Sequence, residues 1–174
     1  QVMSYTGLSM KLDNVFVNLK GDHQLANGAL ALCAVELLKV CGFPAEERPI
    51  RNGLSRVRWP GRIEIVREKP TILLDGAHNV DGVQALVRFL DTRFPEKRTT
   101  LVFGVMKDKE YEKMIDLLRP RADVIVLTRL ANERGLPPEA MKGLAAEATI
   151  TQDVRSALLK ARAVTSDRDL ILIT

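Results

Sequence analysis

Cysteine is scarce in this sequence: its 174 residues include two, Cys33 and Cys41. They lie eight positions apart in a segment of helical composition, and the rise of a helix would separate them by about 12 Å. That distance exceeds the reach of a disulfide bond. We therefore expect two buried, reduced thiols and, by the general rule for chains without disulfides, a cytoplasmic protein.

Aromatic residues and long apolar runs are also rare. Phe, Trp and Tyr make up 5% of the chain, and the 26 Lys and Arg residues are scattered. Nucleic-acid binding usually needs a basic stripe or stacking aromatics, so only the pI of about 9.2 favours it. No apolar run reaches the roughly 20 residues that cross a membrane, and the first residues lack a signal-peptide layout. We predict neither nucleic acid nor membrane as a partner.

Two nucleotide-binding signatures are missing. The chain contains neither G-x-x-x-x-G-K-[ST] nor G-x-G-x-x-G. Their absence argues against a P-loop, and against a dinucleotide site of the usual kind, within these residues. The sequence has no initiator Met, and its final apolar stretch stops at Thr174. We expect it to be part of a longer protein.

The first part of the chain contains a predicted helix with more apolar surface than the short segment before it could cover. Residues 13–19 alternate as in a half-buried strand, and the spacing of apolar residues over 50–57 predicts a short helix. Residues 25–41 are apolar on nearly every side, which predicts a helix buried on most sides. Pro60 and Gly61, which follow the second predicted helix, form a turn that breaks regular structure. We place a domain boundary there, between 1–60 and 61–174.

The second part alternates between short apolar runs and amphipathic stripes. The predicted strands are 71–75, 99–104, 123–128, 149–151 and 170–174. The predicted helices cover 83–90, 111–118, 136–148 and 154–161, with Asp108 and Asp153 as N-caps of the second and fourth. This alternation is typical of an α/β domain with an open, mostly parallel sheet and helices on both faces, a Rossmann-like fold.

The stretch D-G-A-H-N, Asp75–Asn79, stands where the first of these strands ends. In such sheets ligands bind at the carboxyl ends of the strands. Asp75 can accept hydrogen bonds from hydroxyls or an amine, and His78 can donate to a phosphate or a carboxylate. Asn79 can cap the next helix. A purely local strand-to-helix turn is the alternative explanation of the same residues.

Four further stretches have unusual polar residues: H-Q-L-A-N from His23 to Asn27, W-P-G-R ending at Arg62, F-G-V-M-K-D-K ending at Lys109, and N-E-R ending at Arg134. In this order and spacing, together with D-G-A-H-N, they resemble the folylpolyglutamate synthase/dihydrofolate synthase family of the Mur ligase superfamily. The H-Q and W-P-G-R forms point to the folate branch. The family motif often continues with Pro after D-G-A-H-N, where this sequence has Val80.

The resemblance implies a two-domain, ATP-dependent ligase. Residues 1–60 would be the tail of a P-loop ATPase domain, and 61–174 the Rossmann-like C-terminal domain. ATP would phosphorylate a carboxylate, and the amine of L-glutamate would attack the acyl phosphate. The implied partners are ATP, L-glutamate and dihydropteroate or a tetrahydrofolate (poly)glutamate. The family's P-loop and Mg²⁺ ligands precede these residues, so we expect no metal ligand here, no activity from this chain by itself, and a monomer.

The resemblance also implies roles for individual residues. Asn27 matches the position that contacts adenine, and Arg62 the position that reaches the ATP phosphates with a catalytic role. Asp75 and His78 match positions near the ribose, phosphates and glutamate; His78 is the second catalytic candidate. Lys109 matches a basic position that serves glutamate, while Arg134 matches a recurrent Arg without an assigned role. A helix cap at Asn27 and solvated side chains at Arg62 and Lys109 are the alternatives.

Two other functions fit parts of the sequence. A different Mur-type ligase would act on a cell-wall precursor or a related peptide. A free-standing Rossmann-like domain would bind a nucleotide without chemistry, although the apolar helix over 25–41 argues against a single small domain. The sequence also leaves open whether the enzyme makes dihydrofolate, extends polyglutamate, or does both.

Overall fold

The computed structural model describes all 174 residues, which form two units, Gln1–Arg62 and Ile63–Thr174. The first unit consists of an antiparallel hairpin followed by two helices. Its elements are β1 (Val2–Thr6), β2 (Lys11–Phe16), α1 (Asp22–Val40) and α2 (Glu47–Arg56). Both predicted helices are confirmed, and α1 begins three residues earlier than its apolar pattern indicates.

The hairpin differs from the sequence prediction. The strand expected over 13–19 ends at Phe16, and its partner β1 was not predicted, because Val2–Thr6 is short and mixes polar with apolar residues. The pairing continues one step beyond the strand, since the Val17 N–H donates to the Gln1 carbonyl at 2.9 Å. Strand content here is therefore decided by pairing between segments.

The expectation that α1 is buried on most sides is wrong for this chain. Its buried residues form one stripe at intervals of four: Gln24, Gly28, Leu32 and Glu36. On other sides, Leu30 is 70% exposed and Val40 is 81% exposed. The hairpin packs against the stripe, and a single covering layer can bury only one face of a helix.

The two cysteines are free thiols, as expected, but their burial was predicted incorrectly. Cys33 is partly buried and Cys41 is exposed at the end of α1. Cys41 lies on the uncovered part of the helix, where an apolar sequence does not by itself produce burial.

Glu36 joins the C-terminal part of α1 to the turn between β1 and β2. One carboxylate oxygen accepts from the Tyr5 hydroxyl at 2.7 Å and the Leu8 N–H at 3.1 Å. The other accepts from the N–H groups of Ser9, at 2.7 Å, and Met10. Glu36 is 1% exposed. A buried carboxylate is tolerated here because donors surround it, and the turn in return has an acceptor for its N–H groups.

Close packing at this carboxylate dictates a glycine in the turn. A Cβ atom at Gly7 would lie 1.8 Å from the Glu36 Oε2 atom and 2.6 Å from the Tyr5 hydroxyl oxygen. No side chain can occupy that position without moving the carboxylate. Gly7 is therefore required by contact with a residue 29 positions away, which no local pattern reveals.

The second unit contains a six-stranded sheet and three helices. Its strands are β3 (Glu64–Glu68), β4 (Thr71–Leu74), β5 (Thr99–Phe103), β6 (Val124–Thr128), β7 (Thr149–Thr151) and β8 (Leu170–Ile173). Its helices are α3 (Val80–Arg93), α4 (Tyr111–Leu118) and α5 (Val154–Val164). The strand order is β3-β4-β8-β5-β6-β7, and all pairs are parallel except β3 with β4. The predicted mostly parallel α/β fold is confirmed.

Helices cover both faces of this sheet. Leu101 and Phe103 of β5 share one core with the apolar residues of α3 and α4. Val102, between them, shares a second core with Ala157 and Ala161 of α5. The alternation follows from the period of a strand, which sends successive side chains to opposite faces. Helix α5 is also capped as predicted: the Asp153 carboxylate accepts from the Ser156 N–H at 2.8 Å.

Three details of the second unit depart from the sequence prediction. The antiparallel edge strand β3 was missed because its sequence, E-I-V-R-E, is largely charged. The α-helix expected over 136–148 is a 3-10 segment, Pro138–Leu144, which contains the poor helix former Gly143 and is followed closely by β7. Asp108 is not the N-cap of α4, which starts at Tyr111 after Glu110.

None of the helices is long and apolar enough to cross a membrane.

Contacts at Glu36 predict an acid-dependent loss of stability. Hydrogen bonds from the Ser9 N–H and the Tyr5 hydroxyl lower the pKa of Glu36 from 4.5 to about 2. Between these pH values the unfolded chain binds the proton and the folded chain does not, so the contribution of Glu36 is full above about pH 4.5 and disappears toward pH 2. We expect Glu36→Gln to lower the urea midpoint at pH 7, and the difference from wild type to shrink at pH 3.

Gly53→Ala is the matched control for this experiment, because nothing lies within 4 Å of the added Cβ and Ala favours the helix α2. The difference in urea midpoint between Gly53→Ala and wild type should be the same at pH 7 and pH 3. A Glu36→Gln difference that stays constant between pH 7 and pH 3 would show that the carboxylate does not titrate with folding.

Candidate functional site

A cavity of about 310 Å³ lies within the first unit, between the start of α1, the segment after β2, and α2. Leu19, Leu54 and Trp59 form part of its apolar lining, and Asn27 and Arg62 contribute polar groups. The volume falls at the small end of ligand pockets, which combine apolar walls with a few polar groups. The structure thus brings together two of the residues for which a nucleotide role is expected.

A chain of side-chain amides orients Asn27 at this cavity. The Asn27 amide nitrogen donates to the Gln24 side-chain oxygen at 3.3 Å, and the Gln24 nitrogen donates to His23 Nε2 at 2.9 Å. Gln24 is buried. This arrangement leaves the Asn27 oxygen to accept a hydrogen bond from a ligand. Asn27 is not a helix cap, since α1 begins at Asp22 with Gly21 as its N-cap.

Arg62 follows a tight turn that sets its position on the cavity wall. Gly61 has a φ of 71°, and the Arg62 N–H donates to the Trp59 carbonyl at 3.2 Å. That φ explains the glycine, because a side chain at position 61 would have room but an unfavourable backbone. The Arg62 side chain is half-buried. A guanidinium at such a wall can bind a phosphate through two parallel hydrogen bonds.

In the second unit, Asp75 holds two backbone segments together. One carboxylate oxygen accepts from the Ile63 N–H at 2.8 Å and the other from the Ala77 N–H at 2.9 Å. Ile63 is buried and has a φ of 47°, a conformation that β-branched residues rarely adopt. The Asp75 carboxylate therefore stabilises both a strained residue before β3 and Ala77, the residue directly before His78.

The rest of the D-G-A-H-N stretch is also held locally. His78 is exposed, and its Nδ1 atom lies 2.9 Å from the Gly76 carbonyl oxygen. A carbonyl only accepts, so Nδ1 carries a proton and Nε2 remains for a ligand. Asn79 caps α3, as predicted, by accepting from the Gly82 N–H at 2.8 Å. The local hydrogen bonding that the sequence allows for Asp75 and Asn79 is present, and His78 keeps one ring nitrogen without a hydrogen bond of this kind.

Lys109 lies on the loop after β5, next to a carboxylate that the sequence did not single out as part of the site. The Asp108 Oδ2 atom is 3.6 Å from the Lys109 ammonium and 2.9 Å from an Arg134 guanidinium nitrogen. The backbone N–H of Asp108 and the charge of Arg134 hold the pKa of that carboxyl below its usual range. Asp108 and Arg134 follow neighbouring parallel strands, which is the signal that could have paired them.

The candidate residues of the second unit thus sit on different loops. Asp75 and His78 follow β4, and Lys109 follows β5, with β8 between those two strands. All three lie at the carboxyl edge of the sheet, where this class of fold binds ligands. No group of three or more His, Cys, Asp or Glu side chains is arranged to hold a metal ion.

Comparison with known proteins gives a family and several relatives. The family described as "Mur ligase, glutamate ligase domain" matches residues 61–174. A dihydrofolate synthase/folylpolyglutamate synthase of Bacillus subtilis is 39% identical over 114 residues, which is 65% of this chain and 26% of the relative. The chain therefore spans about a quarter of that protein's length.

Solved structures match nearly the whole chain. A Mycobacterium tuberculosis folylpolyglutamate synthase complexed with ADP is 27% identical, with a TM-score of 0.87 over 98% of this chain and 41% of its own. A bifunctional folylpolyglutamate synthase/dihydrofolate synthase with Mn, AMPPNP and L-glutamate bound is also 27% identical, with a TM-score of 0.79 over 94% of this chain and 39% of its own. The resemblance to the folate branch is confirmed.

The position of Asp75 predicts a stability defect when its carboxylate is removed. Asp75→Ala deprives the buried Ile63 N–H and the Ala77 N–H of their acceptor, at a cost of roughly 2 kcal/mol or more in the free energy of unfolding. Asp75→Asn retains one acceptor oxygen and should lose less. Urea unfolding measures both, with Asp116→Ala, an exposed carboxylate on α4, as the control. Equal urea midpoints for Asp75→Ala and wild type would show that the hydrogen bonds from Ile63 and Ala77 to this carboxylate do not stabilise the fold.

Proposed function

Because the chain belongs to the Mur ligase family through its glutamate ligase domain, we propose that it is part of a folate–glutamate ligase driven by ATP. The cavity lined by both Asn27 and Arg62 carries this proposal, because the family resemblance implies a nucleotide-binding role for each of these residues. The similar structures, one with ADP and one with AMPPNP and L-glutamate, support the same ligand classes.

The proposed reaction forms one amide bond. The terminal phosphate of ATP is transferred to a carboxylate of dihydropteroate or of a folate, giving an acyl phosphate and ADP. The amine of L-glutamate attacks the acyl carbon, loses a proton, and displaces inorganic phosphate. Whether the enzyme makes dihydrofolate, extends polyglutamate, or does both depends on the pterin it accepts.

In this proposal the first unit contributes residues that bind the nucleotide. Asn27 accepts from the adenine amino group, with its amide orientation maintained by Gln24 and His23. Arg62 binds the phosphates and stabilises the negative charge that develops during transfer, since a guanidinium supplies fixed positive charge and donors.

The second unit serves the other reactants. His78 offers Nε2 to the glutamate carboxylate or to the acyl phosphate, and as a doubly protonated ring it would donate to either anion. Asp75 shapes this loop and lies near the ribose, phosphates or glutamate. Lys109 binds a glutamate carboxylate through its charge.

Mg²⁺ would neutralise phosphate charge when bound. The carboxylates and histidines of this chain do not form a group that fits the ion, and we place its ligands outside these residues.

We further propose that residues 1–60 belong to the ATPase domain, that the chain alone does not turn over, and that the complete enzyme is a cytoplasmic monomer. The uncovered apolar side of α1, with Leu30 and Val40 exposed, supports the first point, because such a surface favours packing against further structure. The free thiols Cys33 and Cys41 are consistent with a reducing compartment.

A ligase assay on the full-length enzyme tests the function. With ATP, Mg²⁺ and labelled glutamate, we expect incorporation into dihydropteroate, tetrahydrofolate or both. Arg62→Ala should lower kcat/KM by roughly 100-fold or more, as expected for a lost charge-stabilising donor, and His78→Ala by roughly tenfold or more. Arg58→Ala, an exposed arginine of the same segment, should leave it unchanged.

Two results would contradict the proposal. No incorporation with either pterin would exclude the folate substrate and favour another Mur-type acceptor such as a nucleotide-linked peptide. Full activity in both Arg62→Ala and His78→Ala would remove these residues from the active site.

The cavity in the first unit predicts a nucleotide-specific defect. Asn27→Ala removes the acceptor for the adenine amino group, and the loss of one hydrogen bond should raise the KM for ATP roughly fivefold to tenfold. The KM for glutamate should not change. Asn52→Ala, on the exposed side of α2, is the control. Equal increases in both KM values would place Asn27 outside the adenine site.

A further inference from the structure

Two loops of the second unit are joined at the carboxyl edge of the sheet. One follows β5 and covers 104–110; the other follows β6 and covers 129–137. Their backbone contacts are a hydrogen bond from the Lys107 N–H to the Arg134 carbonyl at 2.9 Å, one from the Leu136 N–H to the Val105 carbonyl at 2.8 Å, and an antiparallel bridge between Met106 and Gly135. These contacts set the register of the two loops.

The same register brings three charged side chains together. The Arg134 guanidinium and the Lys109 ammonium both lie beside the Asp108 Oδ2 atom, at 2.9 Å and 3.6 Å. One carboxylate is thus shared by two cations, which leaves one positive charge in the group. The backbone of Arg134 is itself anchored, since its N–H donates to the Asn132 side-chain oxygen at 2.8 Å.

Stability does not account for this arrangement. The Arg134 side chain is 69% exposed and that of Asp108 is 47% exposed, and ion pairs of this kind contribute little to folding. The effect of the pair lies in geometry. Without Arg134, Asp108 would pair with Lys109 alone, and the two opposite charges would largely cancel at the place where an anionic ligand needs a cation.

We propose that Arg134 is a positioning residue: through Asp108 it keeps the Lys109 ammonium in place and only partly neutralised, available to the carboxylate of an incoming amino acid. The inference rests on the proposed function, because that amino acid is taken to be glutamate. It gives a role to an arginine that the sequence motif leaves without one, and it assigns no contact between Arg134 and the substrate.

Steady-state kinetics of the full-length enzyme test the role. Arg134→Ala should raise the KM for glutamate roughly threefold to tenfold, as for a weakened charge interaction at a binding site, with the KM for ATP and kcat within about twofold of wild type. Arg134→Lys, which keeps the charge, should recover part of the loss. Arg129→Ala, an exposed arginine on the same loop, is the control and should match wild type.

A double variant separates positioning from direct contact. In an Asp108→Asn background Arg134 has no carboxylate to hold, so adding Arg134→Ala should change the glutamate KM by less than about twofold. An undiminished effect in that background would mean that Arg134 contacts the substrate itself and would overturn the inference. An unchanged glutamate KM in the single variant would overturn it as well.

These failures differ from failure of the proposed function. If the wild type is active and Arg134→Ala leaves the KM for glutamate unchanged, only the positioning role of Arg134 is excluded. A wild type that incorporates no glutamate with either pterin removes the proposed function and this inference together.

Discussion

Backbone N–H groups in turns and loops must find an acceptor, and in both units a carboxylate supplies it. Glu36 accepts from successive N–H groups of the turn between β1 and β2. Asp75 accepts from Ile63 and Ala77. Each carboxylate joins segments that are separate in the sequence. The hairpin and α1 depend on the first contact, and the loop at the end of β4 depends on the second.

The parallel sheet imposes a second constraint. Parallel strands that lie side by side end at the same edge, so the loops after β4, β5 and β6 open on one side of the second unit. The polar side chains at this edge differ in what they contact. Asp75 and Asn79 satisfy backbone donors, His78 is exposed, and the partly buried Lys109 ammonium pairs with Asp108.

A polar motif of this kind can hold the backbone and still present a side chain to a ligand, which is what we propose for this edge of the sheet. A site residue needs a fixed orientation, which requires further contacts from its neighbours. Gln24 does this for Asn27 through an amide chain, and Asp108 is placed to do so for Lys109. The contacts that orient Asn27 and Lys109 come from Gln24 and Asp108, motif residues for which the resemblance implies no ligand-binding role.

Local sequence was sufficient for most elements. Apolar spacing predicted α1, α2, α3, α4 and α5, and short apolar runs predicted the parallel strands. Each of these signals is contained within ten to twenty residues, because helices and caps are built from neighbours along the chain. Asn79 and Asp153 were predicted as caps for this reason, and both accept the expected N–H. The residue types at the candidate site were visible in the same way.

Tertiary structure decided what depends on residues far apart. The charged edge strand β3 exists because it pairs with β4, and the last strand, β8, lies in the middle of the sheet between β4 and β5. The contacts of Gly7 with Glu36 and of Asp108 with Arg134 follow from such pairings. A residue's sequence neighbourhood specifies its periodicity and charge, but contact across 25 or more positions depends on strand order, and strand order is set by the packing of the whole unit.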